Sequence, residues 1–232
     1  MKIFIGTSGW AYSWNLGGNL SWYVNNSKLN AIELNASFYR FPFPNQIKSW
    51  SKIGKILHWC IKVNRFITHV YKFNEKAINV WNKFQKIFEP LENHIDFYLF
   101  QLPPSFSEKQ KNKISKFLNK IKLEQKIALE ARNTEWWNKD VYDWAKTNNI
   151  CFVSVSAPKL PDEIIKTSDS VYLRLHGKES WYSYCYTKEE LKEISRKIKA
   201  IKPKRAYIFF NNDHDMLENA RLMKKCLNGK FY

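Results

Sequence analysis

A chain of 232 residues that is 44% hydrophobic and 16% aromatic has the length for one large α/β domain and fills a core easily. No stretch approaches the roughly 18 apolar residues of a membrane span, and the N-terminus reads as a strand without a signal-peptide core, so a soluble, cytoplasmic protein is expected. The formal net charge of +17 attracts anionic ligands, nucleic acid or acidic surfaces, unless it only reflects a lysine-rich solvated exterior.

In chain order, the first strand-like run is Lys2–Gly6, followed by a loop from Thr7 to Gly18 that carries Ser8, Gly9, Trp10, Tyr12 and Trp14. Asn30–Asn35 is the second run, and Ile47, Trp50 and Ile53 at three-residue spacing predict a helix over 45–55. Leu57–Val63 is the third, and the loop from Asn64 to Asn74 bears Arg65, Thr68 and His69. Ala77, Val80, Trp81, Phe84, Ile87, Phe88 and Leu91 then form a helical stripe over 74–92. Asp96–Leu102, a helix over 108–121 and Lys126–Glu130 follow, then a helix over 138–148 and the runs Ile150–Val155 and Ser170–Leu175. A loop from His176 to Thr187 carries Lys178, Trp181, Tyr182, Tyr184 and Tyr186, and Thr187 with Glu190 is a capping-box start for a helix over 187–201. Ala206–Asn211 is the last strand, with a final helix from near His214 to Leu227. Strand alternating with helix implies a parallel sheet with right-handed crossovers. Eight such strands at this length predict an α/β fold, a (β/α)8 TIM barrel forming a single domain over 1–232.

Five strands end in two polar residues spaced two apart: Glu33/Asn35, Lys62/Asn64, Glu130/Arg132, Ser154/Ser156 and Arg174/His176. Residues i and i+2 of a strand share a face, and active sites of such barrels sit at the carboxyl ends of the strands. The pattern predicts a polar cup on an apolar barrel, ringed by aromatic loops that either stack on a flat or sugar-like ligand or form a hydrophobic lid. Seven glycines disfavour a glycine-rich phosphate loop, and four cysteines without Cys-x-x-Cys spacing disfavour a disulfide framework or zinc ribbon.

At these strand ends the chain resembles a known family. Ile5 to Tyr12 (Ile-Gly-Thr-Ser-Gly-Trp-Ala-Tyr), Glu33 to Arg40 (Glu-Leu-Asn-Ala-Ser-Phe-Tyr-Arg), Ile67-Thr68-His69 and Phe100 to Phe106 (Phe-Gln-Leu-Pro-Pro-Ser-Phe) occur in order. Leu129 to Arg132 (Leu-Glu-Ala-Arg), Val171 to Gly177 (Val-Tyr-Leu-Arg-Leu-His-Gly) and Phe209 to Asn212 (Phe-Phe-Asn-Asn) complete the set. The seven blocks are similar to those of the YecE-like family, domain of unknown function family number 72. The resemblance implies a TIM barrel distantly similar to the endonuclease IV-like xylose isomerase barrels, and it implies no particular reaction.

The paired carboxylates Glu33 and Glu130, with His176, are the candidate catalytic groups, as general acid and base or as nucleophile and acid. Alternatively each carboxylate is neutralised by a cation, Glu33 by Lys62 and Glu130 by Arg132 or Arg174. Candidate binding residues are Lys62, Arg132 and Arg174 for an anion, Gln101, Asn35 and Asn211 for amide contacts, and Trp10, Tyr12, His69 and Tyr182 at the rim. With three cations against two anions, an anion is expected beside Arg174. Lys62 is expected to be charged, although burial at a strand end would lower its pKa and make it a base or Schiff-base nucleophile. Too few histidines reach the mouth to build a metal cluster, so neither metal nor other cofactor is expected. The function expected is a metal-independent enzyme acting on a small anionic, phosphorylated or polyhydroxylated substrate. The alternatives are endonuclease IV-like nucleic-acid binding or repair, and a ligand-binding barrel without turnover.

Overall fold

A computed structural model describes residues 1–229 of the chain. Eight parallel strands run as β1 (Lys2–Thr7), β2 (Ala31–Leu34), β3 (His58–Lys62), β4 (Ile95–Gln101), β5 (Ile127–Glu130), β6 (Ile150–Ser156), β7 (Ser170–Leu175) and β8 (Arg205–Phe210). Their order around the sheet, β1-β8-β7-β6-β5-β4-β3-β2, brings β1 and β2 to the two ends of the ladder, and the sheet curls until those ends meet. The result is the expected TIM barrel, with every predicted strand present to within about two residues at its ends.

The β1–β2 seam is closed by side chains, not by a ladder. The amide of Asn30 stands in for a strand: its Oδ1 accepts from Ile5 N at 2.9 Å and its Nδ2 donates to Ile3 O at 2.8 Å. Higher up, Tyr23 OH donates to Ala31 O at 2.8 Å and accepts from Thr7 N at 3.3 Å. Gly6 permits this approach, since a Cβ there would lie 2.3 Å from Ala31 O. Edge backbone groups left unpaired would each cost about 1–3 kcal/mol, so these two side chains do the work of the eighth pairing, beside seven ladders.

Helices α1 (Leu20–Asn26), α2 (Pro44–Ile53), α3 (Glu75–Phe88), α4 (Lys111–Ile121), α5 (Lys139–Thr147), α6 (Lys188–Ile201) and α7 (Met216–Asn228) cover the outside. The stripe of α3 buries Ala77, Trp81, Phe84 and Phe88, whereas in α2 only Ile47 is buried and Ile53 is exposed. The capping box of α6 forms, with Glu190 N donating to Thr187 Oγ1 and Thr187 N to Glu190 Oε2. Two features depart from a regular alternation. Helix α1 lies just beyond the first aromatic loop, where no periodic stripe was read. Between β6 and β7 no helix forms among the described residues; the segment 157–169 instead lies along β6, with Thr167 Oγ1 accepting from Phe152 N and donating to Ile150 O.

That segment corrects the reading of β6. Inward parity on this strand belongs to Cys151, Val153 and Val155, which join Phe4, Ala31, Cys60, Phe97, Leu99, Ala128, Tyr172, Tyr207 and Phe209 in the barrel interior. Ser154 and Ser156 therefore face the outer layer, where Ser154 Oγ accepts from Ile165 N and Ser156 Oγ from Tyr186 OH. Their even spacing matched the other pairs, but a fully buried strand is apolar on both faces, and parity alone does not say which face is inside. Among the described residues no helix is long and apolar enough to cross a membrane.

Candidate functional site

At the carboxyl ends of the strands the apolar filling of the barrel gives way to an ion cluster. Arg174 on β7 is 0% exposed, and its guanidinium reaches across the barrel to both carboxylates. Nη2 donates to Glu33 Oε1 at 2.6 Å, and Nη1 donates to Glu130 Oε2. Glu33 accepts two further hydrogen bonds, from Ser8 Oγ at 2.6 Å and from Tyr172 OH at 2.7 Å. Glu130 Oε1 is paired with Nε of Arg132, which follows β5. Burial raises the Glu130 carboxyl, but Arg132 and Arg174 outweigh it and hold the group down at about 2. Burial works against the Arg174 charge too, and Glu130 and Glu33 more than offset it, so the guanidinium stays protonated.

This pairing settles which cation neutralises which acid. Glu33 is matched by Arg174 and not by Lys62 on the adjacent strand, while Glu130 is matched by both arginines. The anion expected beside Arg174 meets a guanidinium whose terminal nitrogens are already spent on carboxylates. Three cations against two anions was the right count, but the surplus lies on another residue.

Lys62 is that residue. It ends β3, 5% exposed, with its Nζ 4.3 Å above the centre of the Phe38 ring and no carboxylate within ion-pair distance among the described residues. Ser37 builds this arrangement: its Oγ donates to Lys62 O at 2.6 Å, and its carbonyl accepts from Asn64 Nδ2 at 3.0 Å. The turn Ala36–Phe38 is thereby pinned to the end of β3, with the Phe38 ring under the amine. Burial pushes the Lys62 pKa down to about 7, and the Arg174 charge adds to the effect against the opposing pull of Glu130 and Glu33. His69, on the π-helical turn Phe66–Val70, meets the same ring edge-on at 5.0 Å. Burial, with Lys62 as the strongest nearby charge, brings His69 down to about 4, so this imidazole is neutral at ordinary pH. Its Nδ1 lies 2.8 Å from Thr68 Oγ1.

His176 is fully buried on the inward face beyond β7, and both ring nitrogens are engaged. Nε2 lies 3.2 Å from Arg132 Nη2 and Nδ1 lies 3.1 Å from Asn211 Nδ2. An arginine cannot accept, so Nε2 must be the acceptor and the proton must reside on Nδ1. The Asn211 amide then presents its oxygen to Nδ1, an orientation that hydrogen-bond logic assigns. Burial and the charges of Arg174, Arg132 and Lys62 keep this ring neutral, well below the usual histidine range.

The rim is aromatic. Trp181 stacks on the Arg132 guanidinium at 4.5 Å, and Tyr182, 40% exposed, meets His176 edge-on at 5.5 Å. Tyr182 N donates to His176 O at 2.8 Å, so the loop folds back on its own strand end. Gly177 makes that turn at φ +114°, where a Cβ would meet Ser180 O at 2.3 Å. On the opposite side a cavity of about 410 Å³ opens between the first loop and the turn after β2, walled by Trp10, Tyr12, Tyr39 and Trp50, with Arg40 at its edge. Ser8 and Asn35 also line it, and the buried Oδ1 of Asn35 has no protein partner. Tyr12 OH donates to Ser8 O at 3.2 Å, and burial, with Asp213 and Glu33 nearby, raises its pKa to about 12. Trp10 and Tyr12 thus pack against the core and line an opening at once, whereas Trp14 packs against the core without lining it.

Of the residues singled out in the sequence, Glu33, Glu130, Arg132, Arg174, His176 and Asn211 form one connected polar network, and Lys62 and His69 both pack against the Phe38 ring. Trp10, Tyr12 and Asn35 line the adjoining cavity, and Tyr182 belongs to the loop over Arg132. Gln101 has the inward parity of Phe97 and Leu99 and pairs in register with Glu130. Ser8, Tyr172 and Phe38 are the members the candidate set lacked. Tyr172 shares parity with Arg174 and His176 and was within reach of the same argument; Phe38, on a turn, was not. Among the described residues no three His, Cys, Asp or Glu side chains are grouped to hold a metal ion.

Comparison with known proteins agrees with this architecture. The pattern described as "Protein of unknown function DUF72" matches residues 4–231. The chain belongs to the DUF72 family. A DUF72 family protein of Thermotoga maritima superposes with a TM-score of 0.82 at 26% identity, covering 98% of this chain and 100% of that one. One of Enterococcus faecalis gives a TM-score of 0.83 at 22% identity, covering 99% of this chain and 97% of that one, a likeness of fold. No curated protein matches the sequence. DUF72 membership fixes the barrel and leaves the activity to be argued from the mouth.

Proposed function

We propose that this DUF72 protein is an enzyme acting on a small anionic substrate, phosphorylated or polyhydroxylated, bound at the carboxyl end of the barrel. The observation that carries the reading is the order of burial within the polar cup. Glu33, Glu130, Arg174 and His176 are each 0% exposed, whereas Lys62 keeps 5% and the side chain of Arg132 keeps 9%. The acids and their clamp lie beneath; two cations and the neutral imidazole of His69 form the surface a ligand meets. A buried, unpaired ammonium is unfavourable, and an incoming anion relieves it. On this reading Glu33, Glu130 and His176 position the cations, and proton transfer falls to groups with a free nitrogen, Lys62 and His69. The adjoining aromatic cavity suits the face of a sugar ring, with Asn35 among its lining residues.

Titration calorimetry with inorganic phosphate and simple sugar phosphates tests this. Charge-assisted contacts of about 1.5–3 kcal/mol mean that Lys62→Met or Arg132→Met weakens binding roughly ten- to a hundredfold. At pH 8 binding should be accompanied by proton uptake, because the anion restores the ammonium. Unchanged affinity in both variants would refute the site. Nucleic acid as the ligand would show itself by an affinity falling steeply with salt and spread over the surface lysines. Turnover of any bound sugar phosphate separates an enzyme from a barrel that only binds.

A further inference from the structure

We propose that Lys62 is an amine nucleophile, and that the substrate of this site carries an aldehyde or ketone carbon as well as its anionic group. The inference rests on the small-anion reading above and adds the chemistry of the reacting centre to it.

Four observations converge on the amine. Lys62 ends an inward-facing strand position at the barrel mouth, so its Nζ points to where a substrate would sit and not into solvent. Both carboxylates that would otherwise hold it as an ammonium are already taken up by Arg174, Arg132, Ser8 and Tyr172. Its neighbour is an aromatic face, and the same ring carries the neutral imidazole of His69 on its edge. Arg132 remains alongside, fixed by Glu130, His176 and Trp181, as a binding group for the anionic end of the molecule. A lysine needed only as a countercharge would gain by sharing one of the buried acids, and here the arginines have displaced it. Its lowered pKa gives a large fraction of free amine at neutral pH.

The step balances without any further reagent. The Nζ lone pair adds to the carbonyl carbon, forming the C–N bond as the carbonyl π bond breaks, and the oxygen takes a proton to give a carbinolamine. A second proton, taken from solvent, allows that oxygen to leave as water, and the nitrogen lone pair closes the protonated imine. One carbonyl, one amine and one proton become one protonated imine and one water, and loss of the N–H proton leaves the neutral imine. The protonated imine would carry its charge where the ammonium did, in the field of Glu130 and Glu33.

Borohydride trapping is the direct test. The intact protein is incubated with dihydroxyacetone phosphate, glyoxylate or pyruvate, reduced with sodium borohydride and mapped by peptide mass spectrometry. Lys62 should be alkylated at pH 7 at least about a hundredfold faster than the surface lysines, whose free-amine fraction there is far smaller. Its labelling rate should level off above pH 7 while theirs continues to climb, and inorganic phosphate should slow Lys62 alone. Labelling of Lys62 no faster than the surface lysines overturns the proposal even in the wild-type chain, with no variant needed. If phosphate binding is nonetheless lost in Lys62→Met, the anion site survives and only the nucleophile falls; if both fail, the reading of the mouth falls too. Lys62→Arg keeps the charge, so it should keep anion binding and lose trapping, and equal trapping of its remaining lysines by every carbonyl would confirm that the wild-type signal came from Lys62.

Discussion

Arg174 on β7 and Lys62 at the end of β3 are both inward and both buried, yet they have opposite relations to the acids of the cup. Arg174 takes two carboxylates, with its planar fork matched to both, and becomes part of the framework. Lys62 takes none and rests on a phenyl ring. The contrast separates two meanings of a charge at a strand end. A paired, hydrogen-bonded charge replaces the last apolar layer of the barrel and fixes its neighbours; an unpaired one is a standing cost that a ligand can remove.

The most severe way to break the comparison is to remove the clamp. Arg174→Met should leave Glu33 and Glu130 facing each other in a buried site and destabilise the protein by about 3–5 kcal/mol, read from denaturant midpoints. Replacing both acids by Gln in the same variant should recover part of that loss, since the penalty comes from stranded charge and not from lost volume. If Arg174→Met costs under about 1 kcal/mol, the cluster is not the framework argued here.

A second test uses acid. Glu130 titrates at about 2 in the fold against an ordinary value of 4.5, so its stabilisation is fully present above the ordinary value and is lost as pH falls through 4.5 toward 2. That difference corresponds to roughly 3 kcal/mol as an upper figure. Glu130→Gln should therefore be less stable at pH 7, and its stability should fall less steeply than that of the wild type as pH drops from 4.5 toward 2, where the other paired carboxylates still titrate. Parallel acid unfolding curves for the two proteins would show that the arginines do not hold this carboxyl down.

How much of this was legible in the sequence follows the same division. The strands and most helices were readable because burial repeats with a period, and the inward set of polar residues was readable because parity is a geometric fact of β2, β3, β5 and β7. Parity could not distinguish inside from outside on β6, where both faces are buried, and Ser154 and Ser156 were assigned to the wrong one. Nor could it reveal the β1–β2 seam, where Asn30 and Tyr23 act through side-chain hydrogen bonds that leave no periodic trace. Partner choice inside the cup was also hidden. Lys62 is adjacent in strand order to Glu33, but adjacency lost to shape: an arginine from β7 is long enough to bridge both acids, and the turn holding Phe38 covers the lysine. The family resemblance supplied the barrel and not these pairings.

The smallest effect, and the sharpest for the comparison, comes from removing the unpaired charge. The Lys62 pKa lies at about 7 in the fold against 10.5 in the unfolded chain. Between those values the unfolded state holds more protons, so the stability contributed by this group rises with pH from 7 to 10.5, and below 7 the buried ammonium is a constant burden. Lys62→Met keeps an unbranched side chain of similar reach over the Phe38 ring and removes that burden. At pH 6 the variant should be more stable than the wild type by about 1–2 kcal/mol, a discounted figure because the site relaxes and the acids below partly compensate. Toward pH 10 the two curves should converge, as the wild-type amine loses its proton without help. Saturating phosphate should narrow the gap from the other side, by stabilising the wild type at pH 6 more than Lys62→Met. A variant that is less stable than the wild type at every pH would mean that the ammonium is paired in solution, and the distinction between the two cations would disappear.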